Sequence, residues 1–196
     1  VLGVLLALAL FIFLPTFIAG LIPGLEGRYT LRSLVEGVIK LAIFLGYLGL
    51  VARMKEIKRL FSYHGAEHKT IFCYEKGLPL TVENVRPQSR FHPRCGTSFL
   101  LVVIILGLLA GLLIQADNTL LRIALRLLLL PVIIALAYEL NRWAGRHDTN
   151  IVSRIVTWPG KQLQRLTTAE PDDGMIECAI RAMELVIPEE KGKDAW

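Results

Sequence analysis

The sequence has little of what a soluble enzyme domain of its length usually carries. Charged residues fill only 20% of its 196 positions and aromatics 8%, while 54% are hydrophobic. An ordinary soluble domain has roughly 25% charged and about 45–50% apolar residues. The shortfall of charge excludes that class and points to a membrane protein. Cysteine is also scarce: Cys73, Cys95 and Cys178 are too few and too scattered for a disulfide scaffold, and are expected to be free thiols or metal ligands. No Gly-rich phosphate loop, nucleotide motif or haem attachment pattern is present. The net charge of +5 comes without the aromatic interleaving that stacks bases, so nucleic acid is not an expected partner. The chain opens inside an apolar run with no initiator Met, basic n-region or small-residue cleavage site, so Val1 is expected to lie downstream of the native start.

What the sequence does have is long apolar runs. A hydrocarbon core of ~30 Å needs about 20 apolar helical residues, and four stretches qualify. The first, Val1 to Ile22, contains Pro15 and ends at Pro23-Gly24. The second is predicted from Ser33 to about Val51, opened by a Ser-x-x-Glu capping box of Ser33 and Glu36, with Glu36 and Lys40 paired one turn apart or forming an ion site within the span. The third and fourth, Ser98 to Ile114 and Thr119 to Leu140, form a helical hairpin around the turn Gln115-Ala116-Asp117-Asn118. Arg122 and Arg126 share one side of the fourth span's first turns, either snorkelling to the interface or meeting an anion or lipid headgroup. Gly107 and Gly111, four apart, permit close packing within or between chains and leave a homo-oligomer open.

Lys and Arg set the expected orientation. Arg53, Lys55, Lys58 and Arg59 follow the second span, Arg86, Arg90 and Arg94 precede the third, and Arg142, Arg146, Arg154, Lys161 and Arg165 follow the fourth. The positive-inside rule then makes residues 52–97 and 141–196 cytoplasmic. The predicted class is an all-α integral membrane protein of the bacterial cytoplasmic membrane: helices 1 and 2 in residues 1–51, a cytoplasmic helix and motif loop in 52–97, a transmembrane hairpin in 98–140 and a helical cytoplasmic tail in 141–196. Within the loop, Met54 to Lys76 reads as mostly helical and Leu78 to Val82 as extended. In the tail, the acids of Glu170-Pro171-Asp172-Asp173-Gly174 announce a helix from Met175 to Val186.

The chemistry concentrates in the same loop. In His64-Gly65-Ala66-Glu67-His68 the two imidazoles lie one helical turn apart and can grip one metal, with Glu67 beside them as a base. This is the His-x-x-Glu-His order of inverted zinc peptidases, in which zinc polarises a carbonyl and activates water. Structural metal ligands, or plain polar residues on a helix, also satisfy the pattern. Downstream, His92-Pro93-Arg94-Cys95-Gly96 resembles half of a zinc knuckle, or a proline-shaped turn into the third span. If His64, His68, His92 and Cys95 all bind, the site is closed and structural. Three ligands leave a position open and give Glu67 a purpose. Glu177 is a further candidate ligand, while His147, Asp148, Glu170 and Asp173 are alternative ligands or partners that orient them.

Longer stretches carry a resemblance. Tyr63 to Thr70, Leu80 to Phe99, Pro159 to Asp173 and Ile176 to Ile180 together resemble the YqhQ-like family of bacterial membrane proteins. The resemblance covers essentially the whole chain. It implies a domain of unknown function, described on motif pattern as metal-dependent enzymes, whose members share an N-terminal Gly-rich segment that this chain lacks. The combined expectation is a multi-pass protein with a cytoplasmic-face zinc site, acting as a metal-dependent hydrolase on a lipid-linked or peptide substrate among membrane lipids. The alternative is a non-enzymatic scaffold, or a transporter or lipid-handling subunit, in which any metal is structural.

Overall fold

The computed structural model describes residues 1–116, 118–147 and 150–188. Among these the protein is all-helical, and four helices are long and apolar enough to cross a membrane. In chain order they are α1 (Leu2–Gly20), α2 (Tyr29–Val51), α3 (Lys55–Glu75), the single turn α4 (Val82–Val85), α5 (Gly96–Leu113), α6 (Thr119–Arg146), α7 (Ile151–Thr167) and α8 (Asp173–Glu184). The span candidates are α1, α2, α5 and most of α6. The chain divides into two compact units, residues 1–48 with 100–140 and residues 49–99 with 141–196.

In the first unit the sequence dictates several local departures from a regular helix. Pro15 cannot donate an amide and its ring crowds the carbonyl one turn back. The helix answers with a wide π turn at Ala9–Phe13 just before it. Phe11 then meets Phe44 and Tyr47 edge-on, with ring centroids 6.3 and 6.5 Å apart. Much of the remaining apolar surface is exposed, including Phe17, Leu113, Leu128 and Leu136. Large bare apolar faces of this kind suit lipid rather than water.

Helix α2 begins four residues earlier than the capping-box reading predicts, at Tyr29, after the left-handed turns at Gly24 and Gly27. Ser33 and Glu36 are therefore interior helix positions, both buried. Glu36 is not paired to Lys40 as a helix-start device. Its carboxylate takes Arg122 at 2.8 Å and Arg126 at 2.5 Å from α6, with Arg32 at 3.4 Å on its own helix. In an apolar setting, charge on one helix is offset most effectively by opposite charge on another, and this outweighs the local capping tendency.

The second unit is built on α3, α4, α7 and α8. Ala66, Cys73, Val85, Ile176 and Ile180 form its buried core. Asp172 caps α8 by accepting from the Met175 amide at 2.9 Å, which starts that helix two residues before the predicted Met175. Residues 78–80 are irregular, and Thr81 caps the single turn α4 that takes up the rest of the predicted extended piece. Helix α7 has no clear signature in the sequence, because Pro159 interrupts its pattern. Asn150 caps it, and it presents Ile151, Val152, Ile155 and Trp158 as an exposed apolar stripe.

The chain leaving α7 lies unusually close to α3. The Ala169 amide donates to the Phe61 carbonyl at 2.9 Å, and a Cβ placed on Gly65 would overlap the Ala169 carbonyl oxygen. In an open helix, Gly→Ala is stabilising by about 1 kcal/mol. Gly65→Ala is expected to reverse that sign and destabilise by about 1–3 kcal/mol, since backbone must move. Gly46→Ala, with open space at its Cβ, is expected to be neutral or stabilising. Thermal unfolding of the two variants in detergent checks the contrast.

Candidate metal centre

Three segments of the second unit converge: α3, the loop of residues 86–95, and the end of α7. On α3, His64 and His68 stand one turn apart with ring centroids 4.3 Å from each other, as their spacing predicts. The loop brings Cys95 to them, its Sγ 3.4 Å from His64 Nε2. One donor atom from each of His64, His68 and Cys95 can be chosen so that all lie within 4.8 Å of one another. Among the described residues, this trio is the set of sequence-predicted ligands that the fold gathers.

The other nitrogen of each histidine is fixed by a main-chain carbonyl. His64 Nδ1 is 2.8 Å from the Thr167 oxygen, and His68 Nδ1 is 2.6 Å from the Arg90 oxygen. A carbonyl only accepts, so each Nδ1 must carry the proton. That leaves Nε2 as the position able to offer a lone pair. Such carbonyl-held imidazoles are the usual outer support of a metal-binding histidine.

The supports are themselves locked. The Gln164 side chain, fully buried on α7, accepts from the His92 amide at 2.8 Å and donates to the His92 carbonyl at 2.7 Å and the Ser98 hydroxyl at 2.8 Å. It thus clamps the loop just ahead of Cys95. Arg90 donates to the Thr168 carbonyl and lies 3.5 Å from the Glu170 carboxylate, which also takes Lys69 at 2.8 Å. Thr97 Oγ1 sits 3.0 Å from the Cys95 sulfur.

The electrostatics favour a thiolate. Burial alone pushes the Cys95 thiol up, but hydrogen bonds from His64, His68 and Thr97 together outweigh it and bring Cys95 down to about 5. The Cys95 contact likewise raises His64 above its ordinary value, against burial, with the Thr167 carbonyl and Glu67 acting in the same direction. These bonds place a proton between ring and sulfur in the metal-free protein, and a bound ion would displace it, taking Nε2 as a neutral donor and the sulfur as thiolate. By contrast, burial pushes the Cys73 thiol up.

The other predicted residues are not part of this trio, although the His92 ring is close by, its centroid 5.7 Å from that of His68. Both nitrogens of His92 are engaged, Nε2 with Glu75 at 3.3 Å and Nδ1 accepting from the Arg94 amide at 3.2 Å. Glu67 and Glu177 are exposed, and Glu67 lines a groove with Tyr63, Ile71 and Met183. Asp173 forms a two-point pair with Arg86. His147 stacks on Trp143 and bonds its carbonyl at 2.9 Å. Asp148 lies outside the described residues. In the first unit, Arg122 and Arg126 converge on Glu36. Reasoning from sequence missed Gln164, Thr167 and the Arg90 carbonyl, because an amide, a hydroxyl residue and a main-chain oxygen carry no spacing signature.

The fold and site together define a helical protein with four candidate membrane spans and a His2Cys cluster able to hold a metal. Residues 1–189 match the family described as "Protein of unknown function (DUF1385)", and the chain belongs to that family. It is 40% identical over 182 residues to "Uncharacterized protein YqhQ" of Bacillus subtilis (strain 168), covering 93% of this chain and 57% of that protein. The chain therefore spans a little over half the length of that curated relative. No solved structure matches.

In the metal-free protein, the thiolate absorbance of Cys95 at ~240 nm, isolated as the difference from Cys95→Ser, is expected to persist as pH falls through neutrality. It should be lost only near 5, because the folded environment holds the thiol below its ordinary value. A transition centred near the ordinary thiol value would contradict the geometry.

Proposed function

We propose that this is a multi-pass protein of the bacterial cytoplasmic membrane that carries a zinc site on His64, His68 and Cys95, and that the site serves a hydrolase working at the membrane interface. The observation that carries the reading is the pair of carbonyl-held imidazoles, each with Nε2 left to face one low-pKa sulfur. Two nitrogens and a thiolate make a borderline-soft donor set that suits zinc better than magnesium or calcium. Three protein ligands are also the number found in catalytic zinc sites. When bound, the ion would supply Lewis-acid polarisation of a substrate oxygen. The protein's own part is to orient both rings through Thr167 and Arg90, to keep the sulfur ionised through Thr97, and to offer Glu67 on the neighbouring groove as a proton acceptor.

Several features support placement at a membrane with the site on the cytoplasmic side. The spans are four, the Lys and Arg concentrate in segments 52–97 and 141–196, and α7 exposes Trp158 among aliphatic residues and basic Arg154 and Arg165. Amphipathic helices of that kind lie in the headgroup region. The substrate class proposed is lipid-linked or peptidic.

One observation favours a second reading, in which the metal is structural in a scaffold or transporter subunit: His68 and Cys95 are each only 3% exposed. The readings separate experimentally. Elemental analysis of the detergent-purified protein is expected to give near-stoichiometric zinc. Cys95→Ala or His64→Ala should remove most of it, and His92→Ala should retain it. Glu67→Gln should keep the metal yet lower hydrolysis of lipid-linked or peptide substrates in mixed micelles by about 100-fold or more. Retained metal with unchanged hydrolysis in Glu67→Gln would remove that residue as the base, and unfolding on chelation without any hydrolysis would favour the structural reading.

A further inference from the structure

Within the first unit, more positive charge gathers around Glu36 than one carboxylate balances. Arg122 and Arg126 pair with it directly and Arg32 stands at 3.4 Å. Lys40, one turn further along α2, makes no direct ion pair among the described residues. Glu36 and Arg122 are each 2% exposed, so this excess is not dispersed in water. Cations in an apolar bundle are costly unless they meet a counter-charge.

Two hydroxyls point to the same missing group. Thr16 and Ser33 are 6% and 3% exposed, and their side-chain oxygens have no hydrogen-bond partner among the described residues. A buried polar group left without a partner is costly. Both line one small recess of about 20 Å³, room for about one water, together with Lys40, Arg126, Gly107 and Gly111. Those two glycines thus give room to the charged side chains. Gly107 has no heavy atom within 4 Å of where its Cβ would be, and Gly111 has only the Arg126 guanidinium. An anion with acceptor oxygens at the Lys40 and Arg126 end satisfies the cations, and a water in the recess links it to the hydroxyls.

The surroundings say what carries that anion. Lys40 and Arg126 also form the polar end of an adjoining cavity of about 190 Å³, otherwise walled by apolar side chains such as Phe11, Ile104, Leu127 and Ile133. Arg32, Glu36 and Lys40 lie 3, 7 and 11 residues beyond the start of α2, which is about 5–17 Å along the helix at 1.5 Å per residue. Lys40 is near mid-helix and reaches a headgroup by extending back toward the start of α2, where Ser33 is four residues from the helix start and Thr16 four from the end of α1, about 6 Å in. We propose that the first unit holds a lipid with an anionic phosphate headgroup, its phosphate oxygens on Lys40 and Arg126 where the recess and the apolar cavity meet, Thr16 and Ser33 reached from it through the water-sized recess, and an acyl chain in the cavity, with Glu36 holding the arginines in position.

The test is a binding titration of the purified protein in uncharged detergent with three probes: dioctanoyl phosphatidic acid, dioctanoyl phosphatidylcholine and inorganic phosphate. Phosphatidic acid is expected to bind at least about tenfold more tightly than either of the others. Lys40→Met removes a charge without orphaning a paired carboxylate, and should weaken phosphatidic acid by about tenfold or more. The double change Thr16→Val with Ser33→Ala should weaken it by about threefold to fivefold while relieving two unpaired hydroxyls. No preference for phosphatidic acid over phosphatidylcholine, or affinity unaltered in both variants, would overturn the proposal. Inorganic phosphate binding as tightly as phosphatidic acid would overturn the assignment to a lipid.

Discussion

Two hydrogen bonds govern the chemistry of the second unit: His64 Nδ1 to the Thr167 carbonyl and His68 Nδ1 to the Arg90 carbonyl. They decide which nitrogen of each ring carries the proton, and so which one is left to face Cys95. Neither carbonyl would be in place without close main-chain approach. Gly65 admits the strand of chain leaving α7, the Ala169 amide ties it to Phe61, and Gln164 holds the loop that ends at Cys95. The cluster is therefore an outcome of how α3, α7 and one loop dock, more than of any one side chain.

That dependence explains what was legible in the sequence. Long apolar runs announce the four span candidates, since length and hydropathy are properties of contiguous residues. His64 and His68 announce themselves because helical spacing is local, and Cys95 because it follows a proline turn. Their assembly is non-local, separated by 31 residues between His64 and Cys95 and by 103 between His64 and Thr167. His92 shows the limit most clearly. From the pattern His92-Pro93-Arg94-Cys95 it looks equivalent to its neighbours, yet Glu75, 17 residues earlier, takes its Nε2. Only the fold shows which histidines are spoken for.

The first unit teaches the same lesson with charge. Ser33 and Glu36 have the spacing of a helix cap, and the local rule would place them at a solvated helix start. The structure buries both, because Glu36 has two arginines to satisfy on α6. Local capping is worth about 0.5–2 kcal/mol, whereas breaking a buried ion pair costs about 3–5 kcal/mol. The buried ion pairs therefore prevail over the cap and set where α2 begins.

Ligation of one ion by His64, His68 and Cys95 can be read from X-ray absorption at the zinc edge of the purified, zinc-loaded protein. Two nitrogen neighbours at about 2.0–2.1 Å and one sulfur at about 2.3 Å are expected, with the sulfur shell absent in Cys95→Ser. A spectrum with only oxygen and nitrogen neighbours, or a sulfur shell that survives Cys95→Ser, would contradict this ligation.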